Sequence, residues 1–387
     1  MAILTTPLLI ILLLSQSYID LEVILPLGRT FNAPVADWAA LLLVPLAAAG
    51  WLRGERAPLP GVSGYALMLL AAALSVQVAI SPADSLHHLL RKPLFFYVAY
   101  GFGLVWLVKR TPATVLWGAM IAWALSTAGL SLLTSVSRIL AGDALWFARI
   151  SGLTPNHKTL AVGLSTALPL LIGRRDRAPG RPIDLAVLFS LSAILLSASK
   201  TAWIIAVFSM AWFLPRSRPL SVRPRFILPA LTLAVALAYY APVLLGSRAM
   251  LDAARSRHSL NERAWSMLTA HPIIGSGTGM NVLVEQVTFP HYRVNGVDAH
   301  GVIQKVGSET GLLGLIGYGW FSLSCLGTVR RRWEDSGGDF SGTGYGTVGC
   351  IAALQVSLLL STETFSQTWW IPFAVSWGQA HRTDEEG

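Results

Sequence analysis

Charged residues are scarce in this chain. Only 13% of its 387 residues are Asp, Glu, Lys or Arg, whereas 53% are hydrophobic, and the mean hydropathy is +0.57. A soluble domain of this length with so few charges would lack the polar surface that such domains carry. The composition therefore excludes an ordinary soluble protein and indicates an integral membrane protein.

Cysteine is nearly absent as well. Cys325 and Cys350 are the only two, and both fall inside or at the end of apolar segments. They provide neither a disulfide framework nor a cysteine metal site. The motifs G-x-x-x-x-G-K-[ST], H-E-x-x-H and G-x-S-x-G are missing too, so P-loop, zincin and nucleophile-elbow chemistry have no support. Asp298 and His300 alone are too few ligands for a metal, and we expect no metal and no cofactor.

A long series of apolar segments takes up most of the chain. A membrane-spanning helix needs about 20 apolar residues, and the sequence offers about twelve candidates. They are residues 3–26, 35–52, 62–80, 93–108, 112–134, 159–173, 183–198, 200–214, 226–246, 302–327, 342–361 and 367–380. The sequence therefore predicts an all-α, polytopic membrane protein with about twelve transmembrane helices.

The seventh and eighth segments are predicted to form a hairpin. Strongly basic runs at 174–181 and 216–225 flank them, so an even number of spans should separate these runs. One helix over residues 183–215 would also be too long, because it would rise ~1.5 Å per residue against a hydrocarbon core of ~30 Å. The tip, SASKT at 197–201, then places Lys200 slightly within the membrane. Lys200 either snorkels to the headgroups or faces a site, and the residues leave this open.

Basic loops set the expected orientation. Besides the two runs just named, one side of the predicted bundle carries Arg53, Arg56, Lys109, Arg110, Arg330, Arg331, Arg332 and Arg382. Lys and Arg are enriched in short cytoplasmic loops, so this side should be the cytoplasm, with both termini inside. The long loops 135–158 and 247–301 then lie outside, and their basic residues are either solvated or part of an anion site.

This topology divides the chain into three parts. Residues 1–246 carry helices 1–9, residues 247–301 form a large outer loop with a short amphipathic helix, and residues 302–387 carry helices 10–12 and a cytoplasmic tail.

The large outer loop is the longest polar interval. Ser259 and Glu262 have capping-box spacing, which predicts a helix from there to about His271, with Arg263 in its first turn. A cation there opposes the helix dipole, and a bound anion would relieve that. Alternating glycines at 275, 277 and 279 follow, and these let the backbone approach another backbone or a ligand.

Several stretches occur together in one order. Arg263-x-Trp265 is followed by HPIIGSGTG, then by Asp298-Ala299-His300 and by Glu309-x-Gly311-x-x-Gly314. Upstream stand Arg149-x-x-Gly152-x-x-Pro155-Asn156 and the segment SASKTAW at 197–203. This ordered set resembles the O-antigen ligase and O-antigen polymerase superfamily, which includes bacterial protein O-oligosaccharyltransferases. Two positions depart from the family pattern, because Lys200 stands where arginine is usual and Gly301 follows His300 where asparagine or serine is frequent.

The resemblance implies a GT-C-like fold in the bacterial inner membrane, with the active site and the large loop between helices 9 and 10 facing the periplasm. It implies inverting, metal-independent transfer of a glycan from undecaprenyl diphosphate. By position, Arg149, Lys200 and Arg263 would hold the diphosphate, and His300 would orient or deprotonate the acceptor hydroxyl. The supporting residues would be Asn156, Trp265, Gly275, Gly277 and Glu309, the last as a structural group or a partner for a basic residue.

Among these enzymes we favour a ligase, which would use a sugar hydroxyl of lipid A-core as the acceptor, and three alternatives stay open. A polymerase would use another lipid-linked repeat as the acceptor, and an oligosaccharyltransferase would use a protein. A transporter for an anionic lipid or metabolite would also suit many spans with cations, although it should show two related halves with broken helices. The partners we expect are membrane lipids, the lipid-linked donor and a glycan acceptor, with no nucleic acid.

Overall fold

The computed structural model of the protein describes residues 9, 20–25, 29–141, 157–197, 199–213, 248–288, 301–338, 343–361 and 365–382. These residues form an all-helical bundle with one small β-hairpin. Its strands, β1 (Asp20–Leu25) and β2 (Arg29–Pro34), are antiparallel, with Asp20 opposite Pro34 and Leu25 opposite Arg29.

The hairpin corrects the end of the first predicted span, 3–26. Asp20 and Glu22 alternate with apolar residues, and this period of two is typical of a strand rather than of a spanning helix. In the sequence, Pro26 and Gly28, which are residue types common in turns, stand between the two strands.

The helices follow the predicted apolar segments closely. They are α1 (Val35–Leu52), α2 (Val62–Val76), α3 (Pro82–Leu89), α4 (Val105–Arg110), α5 (Ala113–Leu140), α6 (His157–Arg177), α7 (Arg181–Leu196), α8 (Lys200–Phe213), α9 (Arg248–Ala270), α10 (Asn281–Thr288), α11 (Val302–Asp335), α12 (Thr343–Leu360) and α13 (Gln367–Ala380). Two π-helical segments, Leu90–Leu94 and Tyr97–Leu104, join α3 to α4.

Four helices of the described chain are long and apolar enough to cross a membrane. They are Val35–Leu52, Ala113–Ser137, Val302–Asp335 and Thr343–Leu360. The predicted span 226–246 lies outside the described residues. A membrane protein is therefore confirmed, and the total of twelve spans stays a prediction.

Helices α2 and α11 pack at backbone distance. A Cβ at Gly64 would overlap the backbone of Phe321, and one at Gly317 would lie 2.7 Å from Met68 N. Small residues of this kind let membrane helices approach closely where water supplies no driving force. Tyr65 of α2 stacks on Tyr97 with ring centroids 4.1 Å apart, and its ring also contacts Phe321 and Trp370.

The predicted hairpin at residues 183–214 is confirmed. Helices α7 and α8 are joined through Ser197 and Ser199, both buried. Trp203 Nε1 donates to Ile194 O across the tip at 3.0 Å, which closes the hairpin. Lys200 is the first residue of α8 and is half-buried.

The basic loops meet at one face of the bundle. Lys109 Nζ donates to Arg56 O at 3.0 Å, and Arg110 pairs with Glu55. Arg382 donates to Thr111 O. The loops around residues 55, 110 and 382 therefore lie side by side, and we call this end of the bundle the basic face.

The basic face continues to the end of α6. The rings of Trp333 and Tyr345 lie 5.6 Å apart, and Tyr345 Oη donates to Trp212 O at 2.8 Å. The next residue of α12, Gly346, packs on Pro169 of α6. The ends of α6, α8 and α11 and the start of α12 therefore gather at this same face, as the predicted topology requires.

The docking of the C-terminus to the basic face should depend on pH. His381 is 9% exposed, and its Nδ1 lies 2.9 Å from Trp377 O. Burial lowers the pKa of His381 from its usual 6.5, and the nearby Arg332 and Lys109 add to the effect. Below pH 6.5 the unfolded imidazole takes up a proton that the folded one resists, so acid favours the undocked or unfolded state.

We therefore expect the protein in detergent to melt at a lower temperature as the pH falls below 6.5. A His381→Gln variant, whose side chain does not titrate, should lose part of this dependence. Equal pH profiles for the two proteins would contradict the assignment.

Candidate functional site

Helix α9 begins earlier than the sequence predicts. It runs from Arg248 to Ala270, so Ser259 and Glu262 occupy its interior and do not form a capping box. The preceding residues RAMLDAARSRH are rich in strong helix formers, which explains why the helix passes through. Arg263 is therefore not in the first turn, and the predicted opposition to the helix dipole does not apply, because that effect falls off within the first turn. The predicted end of the helix is confirmed.

The Arg263 side chain is buried against the bundle. It is 5% exposed, and its Nη2 donates to Ser259 Oγ, one turn earlier, at 2.7 Å. Farther along the same helix, Leu268 lies under Gly307 of α11, 3.4 Å from the position of a Cβ there. Trp265 is 61% exposed and lies on another side of α9. Ser259 thus holds the guanidinium in a defined position, on a helix that packs against α11.

Helix α11 is broken at Gly311. This residue has φ 66° and ψ −164°, a region that only glycine populates readily. The break leaves two amides without helical partners, and the loop after α9 supplies carbonyls for both. Leu312 N donates to Pro272 O at 2.8 Å, and Leu313 N donates to Ile273 O at 3.2 Å.

The carbonyls on the other side of the break are satisfied by the same loop. Ser276 N donates to Ser308 O at 2.9 Å, and Gly277 N donates to Glu309 O at 3.0 Å. Glu309 itself is 5% exposed. Buried backbone groups that lose their helical partners need such replacements, so HPIIGSG is a clamp that completes a discontinuous helix.

The glycines of this clamp serve its close approach to α11 and to the α2–α3 turn. A Cβ at Gly275 would overlap the backbone of Glu309, and one at Gly277 would lie 2.6 Å from the Cβ of Ala79. Gly275 has φ 70° and Gly277 has φ 114°. The sequence leaves open whether these glycines receive a backbone or a ligand, and the structure places backbone there.

The next residues tie the clamp to the second and third helices. Ser75 Oγ accepts a hydrogen bond from Thr278 N at 3.0 Å, and Ser85 Oγ donates to Thr278 O at 2.9 Å. These contacts lie at the end of α2 that is remote from the basic face. We call this end of the bundle the site face.

A polar cluster lies at the site face where the first and last helices begin. Asp37 Oδ1 accepts hydrogen bonds from Tyr100 Oη at 2.7 Å and from Gln367 Nε2 at 2.8 Å. Lys92 and Arg91 lie within electrostatic range of this carboxylate. Polar groups from three distant parts of the sequence, around residues 37, 91–100 and 367, thus meet at the Asp37 carboxylate.

Lys305 brings a further cation to this cluster. It lies in the first turn of α11, half-buried and within electrostatic range of Lys92. The Lys92 ammonium also lies 5.7 Å from the ring centroid of Phe96. Among the described residues, the cations Arg91, Lys92 and Lys305 thus lie close to the Asp37 carboxylate, and cations gathered in this way attract anions.

The sequence reasoning did not single out Asp37, Arg91, Lys92 or Lys305. Their position in the sequence does mark them as candidates, because ionisable residues at or inside apolar spans are costly and often functional. No local sequence pattern predicts that these residues lie close together, since Asp37 and Gln367 are 330 positions apart.

The structure describes some of the predicted site residues and leaves their predicted roles untested. Lys200, Arg263, Trp265, Gly275, Gly277 and Glu309 are described, and Arg149, Asn156 and His300 lie outside the described residues. Lys200 begins α8 at the end of the α7–α8 hairpin away from Arg181, which places it toward the site face. The joint assembly of three cations and His300 around a diphosphate stays a prediction.

A family model described as O-antigen ligase matches residues 185–319. The match covers about a third of the chain. It starts in α7 and ends in α11, so it includes Lys200, Arg263, the clamp and Glu309. No curated protein matches the sequence. The match of residues 185–319 to this family confirms the resemblance to the O-antigen ligase and O-antigen polymerase superfamily that the motifs predict.

Proposed function

We propose that the protein is a glycosyltransferase that moves a glycan from undecaprenyl diphosphate to a sugar hydroxyl of lipid A-core. The observation that carries this proposal is Arg263, a buried guanidinium held by Ser259 inside the O-antigen ligase match. A buried cation at the site face is suited to a lipid-linked diphosphate, because guanidinium binds phosphate oxygens in a bidentate manner.

The reaction requires charge stabilisation more than redox or metal chemistry. The acceptor hydroxyl oxygen attacks the anomeric carbon from the face opposite the diphosphate, and the bond between that carbon and the diphosphate oxygen breaks. The electron pair leaves with the lipid diphosphate, and the hydroxyl proton passes to a base, for which His300 is the candidate. An imidazole is suited to this role near neutral pH.

Fixed cations would promote this step selectively. Negative charge on the diphosphate grows as the glycosidic bond breaks, so a cation that faces it stabilises the transition state more than the ground state. Apolar surroundings lower the effective dielectric and strengthen the interaction. Arg263 is positioned in advance by Ser259, whereas Lys200 would contribute a point charge at the α7–α8 tip.

The basic face supports the proposed orientation. Short loops rich in Lys and Arg stay in the cytoplasm, and these loops gather at the face opposite the clamp. The site face would then be periplasmic, in the inner membrane of a bacterium, where lipid-linked glycans and lipid A-core are both accessible.

Lys200 offers a direct test of the diphosphate assignment. We expect Lys200→Arg to retain transfer, because arginine supplies the same charge with a forked geometry. Lys200→Ala should lower the rate by roughly ten- to a hundredfold if its charge faces the developing anion. Purified protein with an undecaprenyl-diphosphate glycan and lipid A-core is the assay. Arg53→Ala, exposed on the basic face, is the matched control, and equal activity of Lys200→Ala and wild type would contradict the role.

Deleting the gene in its host separates the alternatives within the superfamily. Full-length polymer left on the lipid carrier would support the ligase. Single repeats attached to the acceptor would identify a polymerase, and loss of glycan from a protein would identify an oligosaccharyltransferase. Unchanged envelope glycans would favour transport of an anionic lipid or metabolite.

A further inference from the structure

An open groove lies on the outside of the bundle near the basic face. It has a volume of about 480 Å³ and is bounded by α5 on one side and by the junction of α6 and α7 on the other. Four residues on one side of α5 line the groove along its length, namely Thr114, Gly118, Ala122 and Leu125. Arg174, near the end of α6, lies at the basic-face end of the groove. The groove therefore opens at the end of the bundle opposite the site face.

The groove has the length of one membrane leaflet. Thr114 and Leu125 are eleven positions apart, which corresponds to about 16 Å along a helix at ~1.5 Å per residue. The hydrocarbon core of a bilayer is ~30 Å thick, so half of it is about 15 Å. An acyl chain of one leaflet therefore fits along this side of α5.

The floor of the groove is made of small residues. Gly118 and Ala122 are both exposed, and a Cβ at Gly118 would have no neighbour within 4 Å. The space above Gly118 is thus available to a ligand rather than to another part of the described chain. Ile121 and Ile183 add apolar walls on either side.

Cations surround the mouth of the groove. The Arg174 guanidinium lies over the Trp117 ring, 5.7 Å from its centroid, and both residues line the groove. Arg175 is paired with Asp184, whereas Arg177 and Arg181 are exposed beside the opening. Residues 174–184 hold four arginines against two aspartates, so the mouth is positive.

We propose that this groove binds an anionic glycerophospholipid, with one acyl chain along Thr114–Leu125 and the phosphate at Arg174. Basic pockets between membrane helices on the cytoplasmic side bind anionic headgroups in this way. The start of α7 at Gly180 lies at the same mouth and adds the positive end of a helix dipole. This site does not depend on the proposed transferase activity.

Native mass spectrometry of the full-length protein in detergent tests the assignment. The probes are phosphatidylglycerol and phosphatidylcholine with identical acyl chains. We expect wild type to retain phosphatidylglycerol in preference, and Gly118→Leu to lower this retention at least tenfold by filling the groove. Gly319→Leu is the matched control, because Gly319 of α11 also has no neighbour within 4 Å of its Cβ position. Arg174→Gln should lower the preference for phosphatidylglycerol about fivefold, in line with ~1 kcal/mol for a basic residue near an anionic surface.

Three results would overturn the proposal. One is equal retention of the two phospholipids by wild type. Another is unchanged retention in Gly118→Leu relative to Gly319→Leu. The third is displacement of phosphatidylglycerol from wild type by an equimolar polyprenyl diphosphate, which would make the groove a second donor site instead.

Discussion

Replacing Arg263 with alanine is expected to lower glycan transfer by about 10²- to 10³-fold, the usual cost of removing one preorganised donor from a developing anion. The reason is the environment of this side chain. Arg263 is 5% exposed and already held by Ser259, so its guanidinium needs little reorganisation when charge develops on the diphosphate. Transfer to lipid A-core by the purified variant is the measurement.

Three further variants separate chemistry from folding. Arg263→Lys keeps the charge but loses the fork, so we expect activity between those of wild type and Arg263→Ala. Ser259→Ala removes the hydrogen bond that positions the guanidinium and should cost less than loss of the cation itself. Arg53→Ala, exposed on the basic face, should retain full activity. Wild-type transfer by Arg263→Ala with unchanged melting temperature would refute the assignment.

The second large effect is expected at the clamp. Gly275→Ala and Gly311→Ala should each prevent formation of a stable protein or abolish transfer. A methyl group at either position would overlap the facing backbone, and both residues have positive φ. Strain at such backbone positions costs about 1–3 kcal/mol, and forced overpacking adds about 1–3 kcal/mol.

Gly337→Ala is the matched control for these two variants. Gly337 also has positive φ, at 97°, but a Cβ there would have no neighbour within 4 Å. Gly337→Ala therefore introduces backbone strain without steric overlap, and it should lower the melting temperature less than the other two variants do. Melting temperatures of the purified proteins compare the three variants. Equal losses in all of them would show that the clamp adds nothing beyond local strain.

The clamp also explains how chemistry can depend on residues that do not touch a ligand. It joins the end of α9, which carries Arg263, to the break in α11, and the half-helix before that break carries Lys305. A shift of about 1 Å at a catalytic group can cost a hundredfold in rate. A clamp variant that folds should therefore still lose activity.

Helix positions were largely determined by the sequence, because span length and hydrophobicity are local properties. The predicted spans 35–52 and 367–380 coincide with α1 and α13, and the predicted hairpin with Lys200 at its tip is present. The same local reasoning failed where two patterns competed. Alternation at Asp20 and Glu22 produced a strand instead of the end of a span, and helix-forming residues before Ser259 extended α9 through an apparent capping box.

The resemblance of residues 185–319 to the superfamily could also be predicted from the ordered motifs, but the structural role of those motifs could not. Whether HPIIGSGTG receives a ligand or a backbone depends on Gly311, whose broken helix supplies the unpaired groups. The hydrogen bond from Thr278 to Ser75 spans 203 positions, and the one from Gln367 to Asp37 spans 330. Contacts between residues so far apart produce no periodic sequence pattern from which they could be predicted. Only the packing of α2 on α11, and of α1 and α13 on the π-helical segment Tyr97–Leu104, brings them together. The tertiary structure alone therefore decided where the cations and the clamp meet.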